Sequence, residues 1–147
     1  MKITTPIKVR YGETDMMGVV YHSNYLLYFE DARTDFLERI DFPYAKVERA
    51  GYMCPIRNVE IDYRAPLRYG EDAFVETSVA KNAPTKTVYA HRVFREGMDP
   101  EHDKPLVTAL ITCCMVERDT FKPVSIKRAM PELYALYNDI LEQQEEA

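Results

Sequence analysis

Several features on which common functions depend are missing from this sequence. Basic residues never run beyond two in a row, at Lys127-Arg128, and the formal net charge is -5. Duplex nucleic acid is held largely by clustered Lys and Arg, so no nucleic-acid partner is expected. The longest nearly uninterrupted apolar run, LVTALITCCMV from Leu106 to Val116, is too short to span a bilayer. The opening MKITTPIKVR has charges but lacks the apolar stretch of a secretory leader, so no targeting segment is expected. Cysteine is scarce: Cys54, Cys113 and Cys114 are an odd number in a chain of 147 residues, large enough to need no staple. That usage fits a reducing cytoplasm. Cys113 and Cys114 are neighbours in an apparent strand, so they are read as core residues pointing to opposite faces. His22, His91 and His102 share no metal-ligand spacing, and no HExxH or CxxC pair occurs, so no metal is expected. There is no Gly-x-Ser-x-Gly nucleophile elbow and no phosphate-binding glycine loop, which leaves a serine hydrolase of that type and an NTPase without support.

Hydrophobic residues make up 46% of the chain and charged residues 29%, the balance of an ordinary globular protein. No Gly/Ser/Pro-rich linker divides it, so residues 1–147 are read as a single domain. Ile3 to Tyr11 alternates like a half-buried strand. From about Asn24 the period changes. Tyr25, Phe29, Ala32, Phe36 and Ile40 fall at helical spacing, with Leu26 and Leu37 widening the stripe. Ser23 or Asn24 is a candidate cap, and Pro43 marks the end. Strands follow around Val59–Tyr63, Phe74–Ala80 and Thr87–Arg95, then at Leu106–Val116, whose two faces both read as buried. A short C-terminal helix at about 130–142 and a polar, fraying tail complete the chain. One long early helix followed by an unbroken antiparallel meander predicts an α+β fold, with a sheet of about five strands wrapped around the helix.

The stretch YGETDMMGVVYHSNY, Tyr11 to Tyr25, places Asp15 at the head of the apolar run MMGVV, with His22 seven residues later. Asp15 is either turn punctuation before a glycine or a carboxylate aimed into a pocket. Glu13 reads as solvated. The longer segment VRYGETDMMGVVYHSNYLLYFEDAR resembles the hotdog-fold acyl-CoA thioesterases of the 4-hydroxybenzoyl-CoA thioesterase and YbgC-like group. Arg10, Tyr11, Asp15, Gly18, Val20, Tyr21, His22, Asn24 and Tyr25 fit the pattern position by position, and the resemblance extends over about the first 120 residues.

The resemblance implies hydrolysis of a thioester to a carboxylic acid and free coenzyme A, with Asp15 as nucleophile or general base. It places the oxyanion donor at the helix start near His22, implicates the His22 imidazole, and makes Tyr11 a supporting hydroxyl. Gly18, Val20, Tyr21, Asn24 and Tyr25 would border the substrate. It implies a homodimer or homotetramer, acyl-CoA or an acyl-carrier protein as partner, and no cofactor beyond the coenzyme A of the substrate. The chemistry agrees with those roles. Thioester hydrolysis needs a nucleophile or base and a device for negative charge on the carbonyl oxygen. A helix start supplies free N–H groups and a positive dipole end. Gly18 permits close backbone approach or an unusual φ. A related branch takes its carboxylate from the long helix, so Glu30, Asp31 and Asp35 are alternatives. Arg57, Lys81, Lys86, Arg92 and Arg95 are the candidates for the coenzyme A phosphates. Two other functions fit the same scaffold: dehydration of a 3-hydroxyacyl thioester by an Asp15–His22 acid–base pair, and a non-catalytic acyl-CoA or acyl-carrier binding module.

Overall fold

The computed structural model describes residues 1–147. Strand β1 (Ile3–Lys8) buries alternate residues, Ile3, Thr5 and Ile7, as its sequence alternation requires. The strand is shorter than expected, because Tyr11–Glu13 coils into a 3-10 turn. A second 3-10 turn, His22–Asn24, runs directly into helix α1 (Tyr25–Arg39). Helix α2 (Tyr44–Arg49) starts immediately after Pro43, so that proline opens a new helix beyond the end of α1. Then come β2 (Tyr52–Met53), β3 (Ile56–Tyr63), β4 (Asp72–Ala83), β5 (Lys86–Arg95), β6 (Val107–Cys113), β7 (Val116–Glu117), α3 (Ile126–Ala129) and α4 (Pro131–Glu146).

Five strands form one antiparallel sheet in the order β1-β4-β5-β6-β3, while β2 and β7 pair separately. The expected unbroken meander holds only for β4, β5 and β6. Strand β3 joins the far edge beside β6, with Tyr63 opposite Val107. The register of β4 shifts between Val79 and Lys81, a bulge that bends the strand.

Helix α1 buries Tyr25, Tyr28, Phe29, Ala32, Phe36 and Leu37, with Phe29 and Phe36 at 1% and 0% exposure. Fully burying a side chain of that kind stabilises the fold by about 1.5–3 kcal/mol relative to leaving it in water. The expected stripe holds at Tyr25, Phe29, Ala32, Phe36, Leu37 and Ile40; Leu26 is exposed, and Tyr28 takes a core place with its hydroxyl on the buried Glu13. The inner face of β6 is buried at Val107, Ala109, Ile111 and Cys113, but Leu110 on the other face is exposed, so only one face of this strand is covered within the chain. The C-terminal helix is not short. It is the longest helix at 16 residues and runs through the supposedly fraying tail. It packs Leu133, Tyr137 and Ile140 into the core. Sheet around helix is the arrangement that the family resemblance implies.

Candidate active site

The loop from Asp15 to His22 closes on itself by backbone pairing. The Asp15 N–H donates to the Val19 carbonyl at 3.0 Å, and the Gly18 N–H donates to the Asp15 carbonyl at 3.0 Å. Gly18 sits at φ 76°, and a Cβ built there would meet nothing within 4 Å. Its glycine therefore serves the left-handed turn rather than a close backbone approach. Both readings of Asp15 hold at once. Its Oδ1 accepts the Met17 N–H at 2.8 Å, an Asx-type turn, which leaves Oδ2 without a partner in the chain.

Asp15 borders a cleft of about 310 Å³. Met17, Val19 and Val20 from its own loop, His22 and Tyr25 from the helix start, Tyr63 at the end of β3, and Arg64, Ala65 and Pro66 after it form the rest of the wall. Asp15 is the one carboxylate among them. Tyr63 donates its hydroxyl to the His22 carbonyl at 2.8 Å, and its ring meets Tyr25 edge to face at 5.6 Å. Burial pushes the Tyr25 phenol up to about 12, against the opposing Leu67 N–H, and raises the Tyr63 phenol as well. Both phenols are therefore protonated at neutral pH and cannot act as bases there. No side chain caps the His22–Asn24 turn or α1, so the first N–H groups of the helical segment are not occupied by a cap. Asn24 makes no side-chain cap bond and donates its amide to the Glu13 carbonyl at 2.9 Å.

Glu13 is 7% exposed rather than solvated. Its carboxylate accepts the Arg10 N–H at 2.8 Å, the Arg10 guanidinium at 3.1 Å and the Tyr28 hydroxyl at 3.0 Å. It holds the Asp15 loop against α1 from behind. Val20 is buried and donates its N–H to the Leu67 carbonyl at 2.8 Å, fastening the loop to the segment after β3. Tyr21 is exposed and rests on the His22 ring at 4.3 Å, outside the cleft lining. Tyr11 is also outside it, 77% exposed and edge to face with Tyr69.

The helix acids are placed elsewhere. Glu30 pairs with Arg33 at 2.8 Å, Asp35 accepts from Thr5 at 2.5 Å and from Arg39 at 3.2 Å, and Asp31 is exposed; none lines this cleft. The expected phosphate partners are also absent from it. Arg92 is bonded to Glu76 at 2.6 Å, and Arg95 to Glu71 at 2.9 Å. The cleft's own cation is Arg64, which lies just past the strand read at Val59–Tyr63 and was not among the expected phosphate partners. Tyr63 and Arg64 carried one usable signal, their place where an alternating strand stops before Ala-Pro.

His91 lies in the core, flat against Phe29 at 4.9 Å, with Nδ1 3.0 Å from the Thr77 hydroxyl. Burial, helped by the Arg33 charge, pushes its pKa down to about 3, so it is a neutral packing residue. A second, enclosed cavity of about 20 Å³ is lined by Arg33, Cys54, Cys113 and Cys114 among others. It has room for little more than one water and holds no carboxylate. Cys113 is buried at the end of β6 and Cys114, just past it, is half-buried; both border this cavity. No group of three His, Cys, Asp or Glu side chains is arranged to hold a metal, and no helix is long and apolar enough to cross a membrane.

Residues 9–135 match the model of the family described as the thioesterase-like superfamily. The YneP protein of Bacillus subtilis is 35% identical over 131 residues, covering 89% of this chain and 91% of that one. The acyl-CoA thioesterase YbgC of Haemophilus influenzae is 28% identical over 124 residues, covering 84% and 87%. The DHNA-CoA thioesterase of Staphylococcus aureus superposes with a TM-score of 0.90 at 32% identity, over 99% of this chain and 94% of that one.

Proposed function

The chain belongs to the thioesterase-like superfamily as a hotdog-fold acyl-CoA thioesterase, and on that premise we propose that Asp15 is its catalytic carboxylate. One observation carries this reading: Asp15 is the only carboxylate lining the cleft at the start of the helical segment, with Oδ1 fixed by Met17 and Oδ2 free. The thioester carbonyl carbon sits over Oδ2, and its oxygen points at the His22 and Ser23 N–H groups, since the Asn24 N–H already donates to the Tyr21 carbonyl at 2.9 Å. Negative charge developing on that oxygen is met by backbone donors and the positive end of α1, without a charged side chain. Asp15 then attacks the carbonyl carbon to give a mixed anhydride, which water opens, or takes a proton from an attacking water. Both routes expel coenzyme A as the thiolate, which takes up a proton, and leave the carboxylic acid. Apart from water, neither route asks for another reactant or a cofactor. Met17, Val19 and Val20 supply the apolar side of the cleft beside the carboxylate. Tyr25 and Tyr63 are the neutral hydroxyls lining the cleft, while the Tyr11 hydroxyl, which the resemblance implicates as a support, belongs to a residue outside that lining. Three free thiols agree with a reducing cytoplasm as the setting. We read the working form as a dimer at least, built through the open edge of β3.

A thiol-reactive dye tests the chemistry on a panel of acyl-CoAs. Asp15→Asn, checked for folding by circular dichroism, should lose a hundredfold or more in kcat/KM, about 2.7 kcal/mol of barrier. His22→Ala keeps its backbone N–H and should lose far less. Equal thiol release by wild type and Asp15→Asn would move the carboxylate elsewhere, with the helix acids next. His22 shares the cleft with Asp15, which keeps 3-hydroxyacyl dehydration as the second reading. That reaction would form an enoyl thioester and free no thiol. Binding of acyl-CoA with neither product would leave a binding module.

A further inference from the structure

Two tyrosines beside the cleft are left without a role by the proposed chemistry. Tyr11 and Tyr69 stand edge to face, ring centroids 5.6 Å apart, yet they are 77% and 61% exposed. Each belongs to a segment that walls the cleft. Tyr11 opens the turn that leads into Asp15, and its carbonyl accepts the Thr14 N–H at 3.2 Å. Tyr69 follows Arg64, Ala65 and Pro66 in the loop after β3.

The rings are presented on a braced support. Leu67 is fully buried and anchors the second loop, and its carbonyl takes the Val20 N–H from the first. Arg95 clamps the same loop at both ends, to Pro66 O at 2.6 Å and Glu71 at 2.9 Å. Beside Tyr69, Arg68 is exposed and in no ion pair, and Arg64 reaches the cleft with its Nε on Asp62 at 2.8 Å. An exposed aromatic ring braced edge to face by a second and flanked by arginines suits a ligand with a flat base and phosphates. A purely apolar acyl group would gain nothing from those cations.

Resting on the thioesterase reading, the geometry points to Tyr11 and Tyr69 as a stacking shelf for the purine base of coenzyme A, with Arg68 and Arg64 serving its phosphates. The acyl group lies in the cleft over Asp15, and the carrier leaves it across this shelf. The shelf makes coenzyme A, rather than an acyl-carrier protein, the carrier this enzyme recognises.

The test compares an acyl-CoA with the matching acyl-pantetheine, which lacks the nucleotide, in wild type, Tyr69→Ala, Tyr69→Phe and Arg68→Ala. Tyr69→Ala should raise KM for the acyl-CoA about tenfold, the size of one lost base stack, and cut the preference for acyl-CoA over acyl-pantetheine by the same factor. Tyr69→Phe keeps the ring and should retain that preference, while Arg68→Ala should reduce it and weaken its salt dependence. Equal losses on both substrates, or no loss on either, overturn the shelf. Tyr11→Phe separates the two roles of that residue. A fall in kcat with KM held would assign its hydroxyl to the chemistry and remove it from the shelf. Direct titration with adenosine bisphosphate, the nucleotide end of coenzyme A, needs no turnover. Binding that Tyr69→Ala abolishes keeps the shelf even if wild type hydrolyses no thioester. No binding to wild type, or binding that Tyr69→Ala leaves intact, removes it even if hydrolysis is confirmed.

Discussion

Glu13 and Asp15 are two residues apart, and the fold treats them in opposite ways. Asp15 spends one oxygen on a local turn and keeps the other for the cleft. Every link of the Glu13 carboxylate is structural: it takes hydrogen bonds from Arg10 and Tyr28, while its carbonyl takes the Tyr21 N–H and the Asn24 amide. Burial pushes the Glu13 carboxyl up, but the Arg10 N–H, the Tyr28 hydroxyl and the Arg10 guanidinium outweigh it and hold the pKa below its ordinary 4.5. The folded state therefore binds this proton less readily than the unfolded chain. The resulting stability is fully present above about 4.5 and is lost as the pH falls through the lower folded value. Glu13→Gln keeps the shape but loses the charge and at least one acceptor. In urea unfolding at pH 7 it should cost about 1–3 kcal/mol, as expected for a disrupted buried network. The gap from wild type should close as the pH is lowered past the Glu13 titration; a gap constant with pH would make the effect one of packing. The turn at Asp15 was legible in the sequence because Asp15 and Gly18 are close neighbours along the chain. The burial of Glu13 was not, since its decisive partner, Tyr28, arrives fifteen residues later through the tertiary fold.

Helix α1 and the strands β3 to β6 could be read from their periods, because each pattern repeats over its own length. The last helix was cut short in that reading, at about residue 142, because LEQQEEA is polar and polarity in isolation looks like fraying. The structure gives the physical reason it continues. The bulge between Val79 and Lys81 interrupts the ladder of β4, and Gln144 donates its side-chain amide to the Val79 carbonyl at 2.8 Å. Further along the same seam, Asn82 donates to the Tyr134 carbonyl at 3.2 Å and to the Asn138 side chain at 2.9 Å, and the Tyr89 and Tyr137 hydroxyls are bonded. Gln144 thus extends the stripe of Leu133, Tyr137 and Ile140 with a polar anchor. Gln144→Ala should lower the stability of the fold by about 1 kcal/mol, read as a shift in the urea midpoint with unchanged slope. Ile140→Ala, at 2% exposure, should cost about 2–5 kcal/mol. A Gln144→Ala midpoint equal to wild type would mean that the last turn of α4 adds no stability.

A sheet with two edges raises a question for the whole molecule, because an open edge is a template for another chain. The two edges here are built differently. Strand β1 carries Pro6 near its middle and Lys2 and Lys8 at its flanks, features that discourage pairing. Strand β3 has no proline and no lysine across Ile56–Tyr63, and it leaves Ile56, Val59 and Tyr63 at 39%, 38% and 45% exposure. Eight residues of edge, with Arg57, Glu60 and Asp62 but no proline or lysine, are long enough to pair with the same edge of a second copy around a two-fold axis. Antiparallel self-pairing would set the Ile56 end of one copy beside the Tyr63 end of the other, and Tyr63 is part of the cleft wall. The apolar Leu106–Val116 run hinted at a second covering layer, but its open face at Leu110 left the edge that matters undetermined in the sequence. Sedimentation equilibrium should give a particle of at least twice the 17.1 kDa chain mass. Val59→Lys adds the edge charge that β1 already has. It should shift the protein toward a single chain at micromolar concentration and lower thioester hydrolysis in step, because each cleft would lose its neighbour. A wild-type protein that sediments as one chain, or a Val59→Lys variant that becomes monomeric while keeping full activity, would show that each cleft is complete within a single copy.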